Sequence, residues 1–391
     1  MSSASIQNVR VVTPGGIVDR DILVDETGVI RELVERGTVV PDATTTDGHG
    51  CYAYPGMIDV LTHGYGEHHY SDAEPDGVAA NSRVLLRHGV TAFVPSVLSK
   101  QEAELIPLLQ KLATADKGDG ARVLGLHSEG PCFAAPGAHK ADNLALPTAA
   151  LAEKMIAAAD GQLRFVTLAP ELPGAEAFAE VMRDANVGMH LGHSRALPHD
   201  VGRYVDMGVD AVTHMFDVMI TAKVSELGVY PVSLPDALMA ESRICLGLIC
   251  DGVHADPIQV RQLAQLPIDR LFLETDSMKY TGLPPGRFEL DAGVWVTTTV
   301  DRATRMDCGG LAGSTLTSDQ ALRNLIAFTG MDLARAAIAT SLNPARLAKC
   351  ADQLGSLEPG KQADIVLLDD GLAVQATFVA GEPKWEKEPA E

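Results

Sequence analysis

The segment RVLGLHSE, residues 122–129, climbs from an apolar run into a carboxylate, and LFLETD, residues 271–276, repeats the pattern. Eight short apolar or β-branched runs of this kind recur in the middle of the chain: 57–62, 91–97, 122–127, 164–168, 188–192, 211–213, 244–250 and 271–275. Ala/Leu-rich segments of helical character separate most of them, among them 101–116, 148–160, 174–185 and 257–265. Strand and helix in regular alternation predict a parallel sheet buried on both faces. Eight such units in this length fit a (β/α)8 TIM barrel, an α/β fold that places its chemistry at the C-terminal ends of the strands. Those ends are where the polar residues fall.

Working outward, the two termini differ from the middle. Val9–Val12, Asp21–Val24 and Val29–Leu33 near the start, and the stretches 355–369 and 374–380 near the end, read as short strands joined by tight turns. Neither end can bury a core alone, so the two are expected to pair into one small β-sandwich-like domain. The expected division is 1–52 and 351–391 for this β-domain, with 53–350 for the barrel.

Composition excludes several function classes. A net charge of −21 leaves no basic surplus for nucleic acid or for an anionic membrane surface. No apolar run approaches the roughly 18 residues of a membrane span, and Met1–Arg10 lacks the apolar core of a signal peptide. The six cysteines show no CxxC pair, which reads as reduced thiols in a cytoplasmic protein. The expected partner is a small-molecule substrate.

The chemistry-bearing residues are Glu129, His193, His214 and Asp276, each at the end of its own strand. A Glu/His/His set with an open position suits one catalytic divalent ion such as Zn²⁺. Asp276 is the expected general base beside it. His254, in Asp251-Gly252-Val253-His254, is expected to orient or polarise a substrate carbonyl, and His139 to sit in a loop covering the site. Strand alternation puts His127 and Glu129 on one face, pointing into the barrel. It puts His190 on the face opposite His193, as a structural residue under a helix.

Taken together and in order, Pro55-Gly56-Met57-Ile58-Asp59, His127-Ser128-Glu129-Gly130-Pro131, Leu168-Ala169-Pro170-Glu171, Gly192-His193-Ser194, Thr213-His214, Asp251-Gly252-Val253-His254, Thr275-Asp276 and Leu311-Ala312-Gly313-Ser314-Thr315-Leu316 resemble the N-acetylglucosamine-6-phosphate deacetylases of the amidohydrolase superfamily. The resemblance implies Glu129, His193 and His214 as metal ligands and Asp276 as catalytic acid/base. It implies substrate contacts from Ala138, His139, Asp217, Val218, His254, Leu311, Ala312 and Gly313, and a homodimer. The implied reaction is hydrolysis of an N-acetyl amide on an amino sugar.

Four departures from the family pattern qualify it. Leu61-Thr62-His63 stands where a His-x-His pair would bind a second metal, so a single ion is expected, with His63 a substrate contact or vestigial. Asp217-Val218 replaces an Asn-Ala that would meet the sugar phosphate. Ser225, with Lys223 nearby, stands where an arginine would clamp it. Glu274 occupies a position one layer below Asp276 where an apolar residue is expected; it could pair with a buried histidine or act on Asp276 by like charge. The altered phosphate subsite admits other small acyl substrates, such as N-acyl amino acids, lactones or esters. A non-catalytic binding protein on the same scaffold is the third reading.

Overall fold

The computed structural model describes residues 3–39, 41, 43–74, 76–219, 227–291 and 293–388. Eight parallel strands form the barrel: Met57–Thr62, Val90–Val97, Leu126–Glu129, Leu163–Leu168, Gly188–Leu191, Val209–Val212, Cys245–Leu248 and Leu271–Leu273. They neighbour one another in chain order, with registers such as Ser96 against His127, Glu129 against Thr167 and Leu168 against Leu191. First and last strands close the ring through Asp276 N–H to Leu61 O at 2.9 Å and His63 N–H to Ser277 O at 2.7 Å.

Each strand is buried on both faces, which is why it reads as a continuous apolar run rather than an alternating one. Inside, Ile58, Val60, Ala92, Val94, Phe165, Ala211 and Phe272 pack into one cluster. Burying an aromatic side chain of this kind contributes about 1.5–3 kcal/mol. Outside, helices that include Glu102–Ala113, Ala149–Ala158, Ala175–Asp184, Pro257–Leu263 and Ser318–Thr329 cover the sheet. Their starts are sequence-encoded. Thr148 accepts the Leu151 N–H, and Asp256 with Gln259 forms a reciprocal cap, each worth about 1 kcal/mol.

The termini do build β-structure together. A six-stranded sheet runs Glu382–Glu386, Val374–Val379, Ile365–Leu368, Tyr52–Pro55, Arg10–Thr13, Gly16–Asp19, mixing both chain ends. A four-stranded sheet runs Ile30–Val34, Asp21–Val24, Ala4–Gln7, Thr44–Asp47. Residues from both sheets, among them Ile6, Val11, Ile22, Val24, Ala53, Ile365 and Phe378, share one core. We propose the domain seams at 52/53 and 350/351, the strand Tyr52–Pro55 crossing the first.

One excursion was not expected. Between the last barrel strand and the helix Ser318–Thr329, the strands Arg287–Asp291, Val294–Thr298 and Ala303–Arg305 form an antiparallel sheet. It packs Leu290, Val294, Val296 and Ala303 against Met278, Tyr280 and Ala312, with Leu98 and Ala138 at the edge of the cluster. No helix among the described residues is long and apolar enough to cross a membrane.

Candidate active site

Glu129 is the last residue of the third strand, and the other site residues lie just past the ends of the fifth, sixth and eighth. There the chain turns through the left-handed region: φ is 50° at His193, 36° at His214 and 49° at Asp276. Such values are uncommon for non-glycine residues and persist where surrounding contacts impose them. Those contacts are visible. The His193 carbonyl accepts from the N–H groups of Ala134 (3.1 Å) and Ala135 (3.0 Å), and the Asp276 carbonyl accepts from Ser314 N–H at 2.8 Å.

The corners bring three donor atoms together. Glu129 Oε1 lies 3.2 Å from His193 Nε2 and 3.1 Å from His214 Nε2, and the two imidazole nitrogens are 3.2 Å apart. Donors about 2.0–2.1 Å from a tetrahedral zinc ion stand about 3.3–3.4 Å from one another, so the triangle fits such an ion within a few tenths of an ångström. The other carboxylate oxygen, Oε2, lies 3.1 Å from His63 Nε2 and 3.2 Å from His139 Nε2. His63 Nε2 also lies 3.1 Å from Asp276 Oδ1. His63/Glu129/Asp276 and Glu129/His139/His193 are thus further groups able to hold a metal ion.

Without an ion, these charges balance through protons. Burial alone would push the Glu129 carboxyl up, but the surrounding imidazoles, His139 foremost, hold it well below the usual carboxylate range. Burial opposes charge on His63 and His214 as well, yet the adjacent Asp276 and Glu129 carboxylates carry His63 to about 10, and Glu129 with Asp217 carries His214 to about 10. Burial lowers His193 despite its bond to Glu129. A cation taking these nitrogens as ligands would release their protons.

Beside the triangle opens a cavity of about 290 Å³. Of the residues singled out in the sequence, Glu129, Ala138, His139, His193, His214, Asp217, Val218, His254, Asp276, Leu311 and Gly313 line it. His254 is held by Asp251: its Nδ1 lies 2.6 Å from Asp251 Oδ2, and among the described residues Nε2 is the ring nitrogen left for another partner. Asp251 Oδ1 takes the N–H groups of Val253 and His254, both at 2.8 Å. The bond to Asp251 overcomes burial and raises the His254 pKa, with Asp217 and Asp276 adding to the effect.

Several expectations need correcting. Ala312 is fully buried in the cluster under the excursion sheet and is absent from the cavity wall. His63 is also fully buried and off the wall, wedged between Glu129 and Asp276 with Nδ1 on Ser96 O. His139 lines the cavity in the loop expected to cover it, its ring fixed by Nδ1, which accepts Ser99 N–H at 3.1 Å and leaves the proton on Nε2 facing Glu129. His190 packs inside the barrel against His127 (5.4 Å), Phe165 and Phe272, not under a helix. Alternation from His193 failed because the strand ends at Leu191 and the left-handed turn resets the phase. Glu274 faces the barrel interior and accepts the backbone N–H of His214 rather than an imidazole. Burial pushes its carboxyl up to about 8. Ser225 and Lys223 lie outside the described residues.

Sequence reasoning missed the contribution of the excursion sheet, from which Leu290, Arg305 and Cys308 reach the wall. Arg305 is engaged there, its guanidinium pairing with Asp307 and donating to Ala138 O at 3.0 Å. A signal existed in the alternation of Phe288 and Leu290 with Val294, Val296 and Thr298 on either side of a glycine turn.

Comparison with known proteins agrees with this architecture. The model of the amidohydrolase family matches residues 52–385. An Escherichia coli N-acetylgalactosamine-6-phosphate deacetylase is 34% identical over 384 residues, covering 95% of this chain and 97% of that protein. A Bos taurus N-acetylglucosamine-6-phosphate deacetylase is 32% identical, covering 98% and 96% respectively. The crystal structure of N-acetyl-D-glucosamine-6-phosphate deacetylase from Mycobacterium smegmatis superposes with a TM-score of 0.86 at 27% identity, covering 98% of this chain and all of that one. With strand ends, donor triangle and near-full-length relatives in agreement, the chain belongs to the amidohydrolase family, hydrolases of amide C–N bonds.

Proposed function

We propose that this enzyme deacetylates an N-acetylated amino sugar, using one divalent metal ion, Zn²⁺ by its donor set, held by Glu129, His193 and His214. The observation that carries the reading is the triangle of donor atoms at 3.1–3.2 Å, open to a substrate-sized cavity with Asp276 on its wall. A bound ion would supply Lewis-acid polarisation of the amide carbonyl and would acidify a water molecule. Asp276 takes a proton from the attacking water and delivers it to the departing nitrogen. The C–O bond from water to the carbonyl carbon forms first, and the C–N bond breaks once the nitrogen has taken the proton, yielding a carboxylate and an amine. His254, fixed by Asp251, presents Nε2 to a substrate oxygen, and Ala138, His139, Val218, Leu311 and Gly313 shape the remaining wall. Apo enzyme should be inactive on N-acetylhexosamines and recover with one equivalent of Zn²⁺; activity that survives complete metal removal would refute the reading.

A second reading concerns the phosphate, and Asp217 favours it. This carboxylate lines the cavity, and its charge is felt at both His214 and His254. Arg305, the arginine on the described wall, is already paired with Asp307. Seating a phosphate about 4 Å from Asp217 would cost ~1–4 kcal/mol of repulsion, depending on screening. We infer a substrate that lacks a 6-phosphate or carries another group there. Ordinary kcat/KM on N-acetylglucosamine 6-phosphate, well above that on the unphosphorylated sugar, would refute this part and leave the deacetylase reading standing.

The proposal extends to a cytoplasmic homodimer. Leu227, Val229, Tyr230 and Val232 form an exposed apolar run, which a second copy would cover, and all six cysteines are free thiols. Sedimentation at micromolar concentration should give twice the chain mass.

A further inference from the structure

The four imidazoles around the Glu129 carboxylate are not anchored alike. His63, His139 and His193 each fix the ring through Nδ1, on Ser96 O at 2.9 Å, on Ser99 and on Ala135 O at 3.1 Å. His214 does not: its buried Nδ1 has no hydrogen-bond partner among the described residues. A metal-ligating imidazole is ordinarily oriented by a partner on its second nitrogen. The direction of the His214 ring must therefore come from its backbone.

That backbone has left the sheet. Thr213 N–H still bonds Leu191 O at 2.9 Å, and Met215 N–H bonds Gly247 O at 2.7 Å. The φ of 36° between them turns the His214 N–H out of the ladder, and Oε1 of Glu274 accepts it inside the barrel. Room for this carboxyl is made by the seventh strand. A Cβ at Gly247 would sit 2.5 Å from Glu274 Oε1 and 2.6 Å from Val212 O, so only glycine fits beside it. Oε2 makes no hydrogen bond among the described residues; one acceptor atom is what the position uses.

We propose that Glu274 is a positioning residue of the metal site, holding the His214 peptide, and through it the His214 Nε2, in the ligand triangle. The proposal rests on the metal reading above. It concerns a carboxylic acid in a barrel layer where an apolar side chain would otherwise be at home, and it explains why Gly247 faces it.

The test is Zn²⁺ affinity of the metal-free enzyme, measured by competition with a chromophoric chelator, for wild type, Glu274→Gln and Glu274→Leu. Removing an outer partner of a ligand weakens metal affinity about 10–100-fold, and that loss is expected for Glu274→Leu. Glu274→Gln keeps an acceptor at Oε1 and should stay within about threefold of wild type. Should Glu274→Leu fail to fold, Glu274→Asp, whose acceptor falls one methylene short of the His214 N–H, is read in its place. Wild-type affinity in the leucine or aspartate variant overturns the proposal while leaving the metal site intact. A glutamine variant as weak as the leucine variant overturns it too, since the charge and not the acceptor would then matter. Wild type that takes up no Zn²⁺ overturns the metal reading and this proposal with it.

Discussion

Replacing Asp251 by asparagine isolates what the His254 pair contributes. The His254 Nδ1 to Asp251 Oδ2 contact is 2.6 Å, with side-chain exposures of 2% and 5%, so water competes for neither partner. A hydrogen bond to a charged group in such a setting contributes about 1.5–3 kcal/mol, and each 1.4 kcal/mol is about tenfold. If that bond is what readies Nε2 for the substrate, Asp251→Asn should lower kcat/KM about 10–150-fold. The fold should survive, because the asparagine oxygen can still accept the Val253 and His254 N–H groups. The asparagine NH₂, however, would face Nδ1 and impose the other imidazole tautomer, with the hydrogen on Nε2. The sign of the pH effect follows. The folded pKa of His254 is raised by Asp251, against burial, above the ordinary imidazole value. The pair's stabilisation is therefore complete below about pH 6.5 and lost as pH rises through the raised folded value. Steady-state deacetylation across pH, with metal content and Tm measured on the same preparations, decides the matter. A variant within threefold of wild type at every pH, with an unmoved pH–rate profile, would show that His254 needs no orienting carboxylate.

Three further outcomes are expected. Asp276→Asn should lower kcat about 10²–10⁴-fold, the usual contribution of a positioned acid/base, while bound metal, measured by elemental analysis, stays at the wild-type level. Adding Zn²⁺ to the metal-free enzyme at neutral pH should release protons, read with an indicator dye, because His214, a proposed ligand, is held protonated up to about 10 in its absence; a proton-silent titration would refute that charge balance. Asp59 is buried, which pushes its carboxyl up to about 7 against the bonds from Thr275. Its folded value exceeds the unfolded value of about 3.9, so the stability tied to its protonated form is present below about pH 4 and lost as pH rises through about 7. Asp59→Asn, neutral throughout, should remove that share of the decline in Tm between pH 5 and 8.5; an unchanged slope would assign the decline elsewhere.

The barrel was legible because parallel strands covered on both faces must be apolar along their whole length, and each of the eight runs begins and ends within a few residues of its strand. The same logic singled out Glu129, His193, His214 and Asp276, since chemistry is expected where such runs stop, and the four line one cavity. It faltered where a period of two ceased to apply. His190 and His193 lie three apart, and alternation assigns them opposite faces. Yet His190 faces the barrel interior and His193 the cavity above it, because φ of 50° at His193 follows a strand that has already ended. Terminal strands such as Thr44–Asp47 and Gly16–Asp19, largely exposed, carry too little apolar pattern to announce themselves. The excursion sheet was overlooked although its alternation was present.

The corners that broke the alternation are also the chemistry of the molecule. A strand that continued regularly past Val212 would point its next two side chains to opposite faces and give its amides to the ladder. Turning left-handed at His214 instead aims an imidazole at Glu129 and strands an N–H inside the barrel, where an unpaired donor would cost about 1–3 kcal/mol. Glu274 accepts that donor and Gly247 makes the space. A buried acid one layer below the site, facing a glycine on the neighbouring strand, is therefore the trace that this corner leaves in the linear sequence. It marks the corner at His214 and not those at His193 or Asp276, whose carbonyls are held by backbone amides that leave no side-chain signature.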